Sequence, residues 1–367
     1  MLPARVATNN GQAGYLRYGL RSARGLTLVE LLTVILIVAL LMGLSGAAYW
    51  RMSRSMKEQA VAAELDVAIR HARNSALTAN APAFVEIDVE ERRVVPWAYR
   101  TVGTWHFEEG KGVSHCKGPY HEALVRGAQM GMDGKIGKCA QLKDSAYIEL
   151  GSDPDFDFTD GGFLEAYVRA STYSFGGEDY IFSKKNAYSL KVGKGGVLIG
   201  NAGNQTIEST YRLVPGRWTK VAFAWDRQST RLIIDDGIVA IGTGSKPPMS
   251  DYPLILGHET ASFEGQVDEV RIMSADAGSA VNLSRNWTIT HNFAPWKGVY
   301  FAPDGSLDMR FHAGPVVITL TQSDKVRTVN ISMLGTTTRS EADKVEKPEI
   351  AEAPVEQKTA SGGKNRP

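Results

Sequence analysis

Phe263-Glu264-Gly265-Gln266-Val267-Asp268-Glu269-Val270-Arg271-Ile272 closes a long region of short strands. Side chains alternate along a strand, so the adjacent Asp268 and Glu269 point to opposite faces. Working back from it, apolar or alternating runs follow one another between turn signals. They include Tyr147-Ile148-Glu149-Leu150, Phe163-Leu164-Glu165-Ala166-Tyr167-Val168, Val197-Leu198-Ile199, Val221-Ala222-Phe223-Ala224-Trp225 and Leu232-Ile233-Ile234. No helix-period segment of useful length interrupts them from about Thr101 to Ser274, the pattern of an all-β sandwich or barrel. Composition agrees. The 367 residues leave room for roughly two domains of ~150 residues, and the 37 glycines favour tight turns. A net charge of +1 argues against a broad nucleic-acid surface, so no nucleic-acid partner is expected. Two cysteines are too few for a zinc ribbon or a disulfide-rich scaffold.

Motifs within the region are more specific than the pattern. Gly103-Thr104-Trp105-His106-Phe107-Glu108-Glu109 opens it, and Asp133-Gly134-Lys135-Ile136-Gly137-Lys138-Cys139 precedes a strand. Pro215-Gly216-Arg217-Trp218-Thr219-Lys220 leads into Val221-Ala222-Phe223. Ile234-Asp235-Asp236-Gly237 and Leu254-Ile255-Leu256-Gly257 then lead to the closing strand. In this order and spacing they resemble the laminin-G-like, concanavalin A-like jelly roll over residues 101–275. Asp236-Gly237 reads as a hairpin turn, and Trp218 and Trp225 as buried sandwich aromatics. The resemblance implies binding of carbohydrate or protein through loops or a concave face, sometimes with Ca²⁺.

Catalysis is not expected, so the chain is read as no enzyme. Some relatives of this fold are glycoside hydrolases, and a retaining pair needs two carboxyl groups ~5 Å apart facing one cleft. Glu264 and Asp268 have the right strand parity, but Gly265 interrupts them and the family's Asp-Glu signature reads as structural. No Ser-His-Asp, His-Glu-x-x-His or phosphate-cradling pattern is present. The loop Gly151-Ser152-Asp153-Pro154-Asp155-Phe156-Asp157 carries enough oxygens for calcium, the only cofactor in view; a solvated acidic loop is the favoured alternative. Cys116 and Cys139 lie 23 positions apart. In an exported chain a Cys116–Cys139 disulfide is expected, and closing that loop contributes ~3 kcal/mol; two unpaired thiols are the alternative.

Outward toward the N-terminus, residues 1–25 carry Arg5, Arg17, Arg21 and Arg24 and no acid, and Leu31 to Trp50 has no charge. Twenty helical residues span ~30 Å, the thickness of a bilayer core, and the basic flank places the remainder across the membrane. Glu30 stands inside Gly25-Leu26-Thr27-Leu28-Val29-Glu30-Leu31-Leu32, where a carboxylate is costly in lipid. The string resembles the processing site of type IV prepilins and pseudopilins, with Leu26 where the family usually has Phe. The resemblance implies cleavage by a prepilin peptidase between Gly25 and Leu26, methylation of Leu26, and pairing of Glu30 with a neighbouring subunit's amine during assembly. Beyond Arg51 the helix continues to about Asn80, with Val61, Leu65, Ile69, Ala72 and Ala76 on one side and Glu58, Glu64, Asp66, Arg70 and Arg73 largely on the other.

After Pro82, Phe84–Val89 and Val94–Trp97 read as a strand pair around Glu90-Glu91-Arg92-Arg93. After Ser274 come Trp287–Thr290, then Val299-Tyr300-Phe301-Ala302-Pro303-Asp304-Gly305-Ser306, then a hairpin of Val316–Leu320 and Val326–Ser332 ending at Leu334-Gly335. This part resembles the distal sheet of H-type minor pseudopilins, which implies one small head sheet with the jelly roll inserted in it; two β-domains in series is the competing arrangement. The segment from Glu341 lacks aromatics and reads as a disordered tail.

The expectation is an α+β chain: a leader (1–25), a long pilin helix (26–80, transmembrane about 28–50), head strands (81–100 and 276–338), a jelly roll (101–275) and a tail (339–367). The function expected is a minor pseudopilin or pilin-like subunit of a type II secretion or type IV pilus system, displaying a module for glycan or secreted protein. Its partners would be prepilin peptidase, other pilin subunits and the bacterial inner membrane, crossed once, with the C-terminal domains in the periplasm or on a filament. The alternatives are a membrane-anchored adhesin outside any filament, and a surface glycan hydrolase.

Overall fold

The computed structural model describes residues 27–113, 115–117, 121–172, 178–323 and 325–342. The chain divides into two compact units, Met1–Glu58 and Gln59–Pro367.

One long helix, α1 (Leu28–Ala79), opens the described chain. Thr27 caps it: the hydroxyl accepts the Glu30 N–H at 3.2 Å, and the carbonyl accepts that of Leu31 at 3.1 Å. Glu30 is therefore the third helical residue after a Thr cap, the acidic position of a capping box, where the helix dipole favours negative charge. Among the described residues no helix is long and apolar enough to cross a membrane. The transmembrane helix, the single-pass inner-membrane location and the anchored adhesin are corrected accordingly. The expected processing pair, Gly25 and Leu26, lies outside the described residues.

The fold class is also corrected. Among the described residues, 23 strands stand against one long helix and one 3-10 turn, so the molecule is mostly β rather than α+β. Two strands follow the helix, β1 (Ala83–Asp88) and β2 (Arg93–Trp105). The next group is β3 (His115–Lys117), β4 (Glu122–Arg126), β5 (Gln129–Asp133), β6 (Lys138–Leu142), β7 (Tyr147–Gly151) and, after a 3-10 turn at Pro154–Phe156, β8 (Gly161–Ala170). Then come β9 (Glu178–Lys184), β10 (Tyr188–Gly193), β11 (Val197–Ala202), β12 (Gln205–Arg212), β13 (Thr219–Asp226), β14 (Ser229–Ile234), β15 (Gly237–Thr243), β16 (Leu254–Gly257) and β17 (Gly265–Ala277). The last are β18 (Val281–Asn282), β19 (Thr288–His291), β20 (Gly298–Phe301), β21 (Val316–Gln322), β22 (Lys325–Ile331) and β23 (Thr337–Ala342).

A first sheet runs β15-β14-β13-β8-β17-β2-β1-β20, with β18 on β2, β6 on β17 and β5 on β6. A second runs β12-β11-β10-β9-β16-β7-β4-β3, and a third β19-β21-β22-β23. The first two face each other over an apolar core that includes Trp105, Phe182, Leu190, Leu198, Phe223, Trp225 and Ile272. This is the jelly-roll sandwich. Trp218, expected in that core, is half-exposed, with the Arg169 guanidinium 6.0 Å from its ring.

Helix residues Leu65, Ile69, Ala72 and Ala76 are buried with Val85, Trp287, Val299, Ile318 and Val329. The N- and C-terminal strands thus share a core on the helix, but in two sheets and not one. β1 and β20 belong to the sandwich sheet, because β2 pairs with β1 through its first residues and with β17 through its last. The expected tail is shortened, since β23 runs to Ala342 and pairs along β22. Asp66, placed by periodicity on the polar side, is buried, receiving bonds from Arg70 and Thr337.

Candidate functional site

The first sheet is covered on both faces. Val221, Phe223 and Trp225 of β13 face the sandwich core. The intervening Ala222 and Ala224 lie in a separate cluster with Phe163, Ile233, Met273, Tyr300 and Phe311. A buried ion pair sits beside it, Arg231 to Asp226 at 2.5 Å, with Arg231 also donating to the Tyr99 hydroxyl at 3.2 Å. Burial raises the Tyr99 phenol well above its usual range, and burial opposes the Arg231 charge, which Asp226 holds in place.

The second sheet alternates differently. Tyr188, Leu190 and Val192 of β10 point into the core, while Ser189 and Lys191 between them are half-exposed. Register continues this outward row. Ser189 lies opposite Ser183 on β9 and Asn201 on β11, and Lys191 opposite Tyr180 and Ile199. Strand alternation therefore places small polar groups, an amide, a lysine and an aromatic on the face turned away from the sandwich core.

A groove of about 350 Å³ lies on this face. The Tyr180 ring stacks on His258 with centroids 4.6 Å apart at 26°. His258 Nδ1 accepts the Thr260 N–H at 3.2 Å, which holds the imidazole. Lys191 Nζ lies 5.5 Å from the Tyr180 ring and bonds Glu178 Oε1 at 2.6 Å, a bond that holds the Glu178 carboxyl below its ordinary range. Asn201 Nδ2 donates to Thr206 Oγ1 at 2.7 Å. At the rim the turn between β9 and β10 brings Lys185 over the Tyr252 ring at 4.4 Å. Lys184, beside it, turns inward to the Tyr252 carbonyl at 2.9 Å and to Asp157 at 3.3 Å. A second groove, about 630 Å³, carries Thr159, Asn204, Lys246, Pro247 and Met249 and meets the first at Gly203. A flat aromatic pair ringed by hydroxyl, amide and ammonium groups suits a ligand with both an apolar face and many hydroxyls.

The residues that the sequence singled out lie elsewhere. Asp268 is fully buried; Oδ2 accepts the Lys135 and Ile136 N–H groups at 2.8 and 3.0 Å, and Oδ1 accepts that of Glu269 at 2.8 Å. Burial raises its carboxyl, and the three backbone donors pull against that. It ties the β5–β6 turn to β17. Glu269 bonds His106 at 2.9 Å. In the acidic loop, Asp157 is taken up by Lys184 and the Ser250 N–H, and Asp153 lies 3.2 Å from His121. Among the described residues no group of three or more His, Cys, Asp or Glu could hold a metal ion.

Cys139 is a buried free thiol that donates to the Asp133 carbonyl at 3.5 Å, and burial pushes it up to about 11. The Cys116–Cys139 disulfide is thus not formed: Cys139 is on β6 of the first sheet and Cys116 on β3 at the end of the second, its side chain outside the described residues. Sequence reading missed Tyr180, Lys185, Lys191, Asn201 and His258. The one available signal was the alternation of Tyr188-Ser189-Leu190-Lys191-Val192, which marks a strand with one open face.

Residues 142–279 match the family model described as the concanavalin A-like lectin/glucanases superfamily. No curated protein matches the chain. Among solved structures, domain 4 of an extracellular arabinanase from Geobacillus stearothermophilus is 18% identical, with a TM-score of 0.39 over 49% of this chain and 95% of that one. A sialidase from Trypanosoma rangeli is 12% identical, with a TM-score of 0.38 over 47% of this chain and 30% of that one. The binding domain of botulinum neurotoxin DC is 7% identical, with a TM-score of 0.38 over 62% and 73%. The family match runs from the end of β6 to just past β17 and takes in neither the N-terminal segment nor the C-terminal strands. The prepilin and pseudopilin reading is corrected on this ground together with the lack of a membrane-crossing helix among the described residues. The peptidase and pilin-subunit partners go with it.

Proposed function

We propose that this chain is a non-catalytic binding protein whose jelly roll takes carbohydrate on the outer face of its second sheet. The observation that carries the reading is the asymmetry of the sandwich: the first sheet is buried on both faces, and the second leaves a polar and aromatic row open. The commitment of Asp268 to three backbone donors favours binding over hydrolysis. A carbohydrate ring would lie on the Tyr180–His258 stack, with its hydroxyls reaching Ser183, Ser189 and Asn201.

A glycan array probed with the full chain tests this. Binding to one glycan class is expected, with Tyr180→Ala weakening it about tenfold, equivalent to ~1.4 kcal/mol. Trp218→Ala, on the other sheet's margin, should leave affinity unchanged. Binding that survives Tyr180→Ala, or release of reducing ends from the bound glycan, would sink the reading.

A further inference from the structure

The charge of the two grooves goes a step further than the shape. Among the described residues their lining contains Lys184, Lys185, Lys191 and Lys246 and no carboxylate, in a chain with 41 basic and 40 acidic residues; Lys184 is buried on Asp157, which leaves the other three. Lys185 and Lys246 are exposed, and the nearest described partner of Lys185 is an aromatic ring. Lys191 is masked by Glu178, whose own side chain is more than half exposed at the groove's edge. Gly203 lines both grooves, so they adjoin. An ammonium on a flexible stem meets a carboxylate or sulfate without fixed geometry, which suits repeated charges along a polymer.

We propose that the joined grooves take an acidic polysaccharide along its length, with Lys185 and Lys246 meeting successive anionic groups while a sugar ring stacks at Tyr180. This rests on the carbohydrate reading above and adds the charge and the polymeric form of the ligand.

The test is titration of the full chain with oligogalacturonate, a chondroitin sulfate oligosaccharide and a neutral arabino-oligosaccharide of similar length. An acidic oligosaccharide should bind at least about tenfold more tightly than the neutral one at low salt, and the advantage should shrink as salt screens the exposed lysines. Oligogalacturonate carries carboxylates only and the chondroitin sulfate oligosaccharide carries both carboxylates and sulfates, so tighter binding of the second shows that sulfate contributes. Lys185→Gln and Lys246→Gln should each weaken acidic binding about threefold, within what an exposed ion pair contributes. Glu178→Gln should strengthen it, because it frees Lys191. All three side chains are at the surface, so folding is not at risk.

Equal affinity for the neutral oligosaccharide, with no response to the lysine changes, would overturn the charge inference. The carbohydrate reading would still stand if Tyr180→Ala weakened that binding. Equal affinity for inorganic polyphosphate would overturn it too, by showing a general polyanion surface. Failure of every glycan to bind would take down both.

Discussion

His312 accepts the Tyr300 N–H at Nε2, 2.8 Å away, and is almost fully buried. An acceptor nitrogen must be unprotonated, and burial lowers the imidazole from 6.5 to about 4. Between those values the unfolded chain binds more protons than the folded one. Stability is therefore whole above about pH 6.5 and falls as pH drops toward 4. Denaturant melts at pH 7 and pH 4.5 should differ by ~2.5 kcal/mol from this residue, and His312→Gln should remove much of the difference. Equal pH sensitivity in the variant would reject the assignment. Arg231 and Asp226 form the other residue-scale liability. Arg231→Met leaves a buried carboxylate without its cation and should cost ~3–5 kcal/mol. The double change Arg231→Met with Asp226→Asn removes both charges and keeps an amide oxygen for the Gln228 and Ser229 N–H groups, so it should recover most of the loss, as read by urea midpoint.

At the scale of elements, turns and caps set where strands and helix begin. The hairpin between β14 and β15 turns at Asp235 and Asp236, with φ of 46° and 64°, one residue earlier than the Asp236-Gly237 reading. Two positive φ values define a turn that matches strand twist, and short polar side chains tolerate it. Asp235 also accepts the Lys220 N–H at 3.0 Å and pairs with Arg217. Asp235→Val should cost ~1–2 kcal/mol, the penalty of a β-branched residue in the left-handed region, whereas Asp235→Asn should be nearly neutral. Thermal melts decide it. On the helix, Asp66 joins Arg70 to Thr337 of β23. Asp66→Ala should loosen that edge strand, seen as faster amide exchange over Thr337–Ala342 with little change in β21.

At the scale of the molecule, β2 is the feature that makes the sandwich and the terminal strands one body. Its first residues pair with β1 and its last with β17, so the sheet has no break at residue 100. The face made by Phe163, Ala222, Ala224, Ile233 and Met273 is covered by Tyr300 and Phe311, which lie outside the jelly-roll segment. A fragment of residues 101–275 should therefore expose that apolar face, bind a hydrophobic dye and associate. A monomeric fragment without dye binding would contradict this account.

Local signals marked the strands well, because alternation, turn residues and glycines act over a few positions. Phe163–Val168, Val221–Trp225 and the closing stretch at Asp268 all lie in strands of the sandwich. The apolar spacing of Leu65, Ile69, Ala72 and Ala76 likewise marked a buried helix face. The prepilin likeness rested on a short string: Glu30 fits a processing site by pattern, and in the helix its backbone N–H donates to the Thr27 cap. The candidate face was not legible. Tyr180, Lys185, Asn201 and His258 come from different strands and turns, and no local pattern links them. Which sheet face stays open depends on Tyr300 and Phe311, more than a hundred residues beyond Tyr180. Strand identity follows from short-range sterics and polarity along the chain; the choice between a covered and an open face follows from long-range packing.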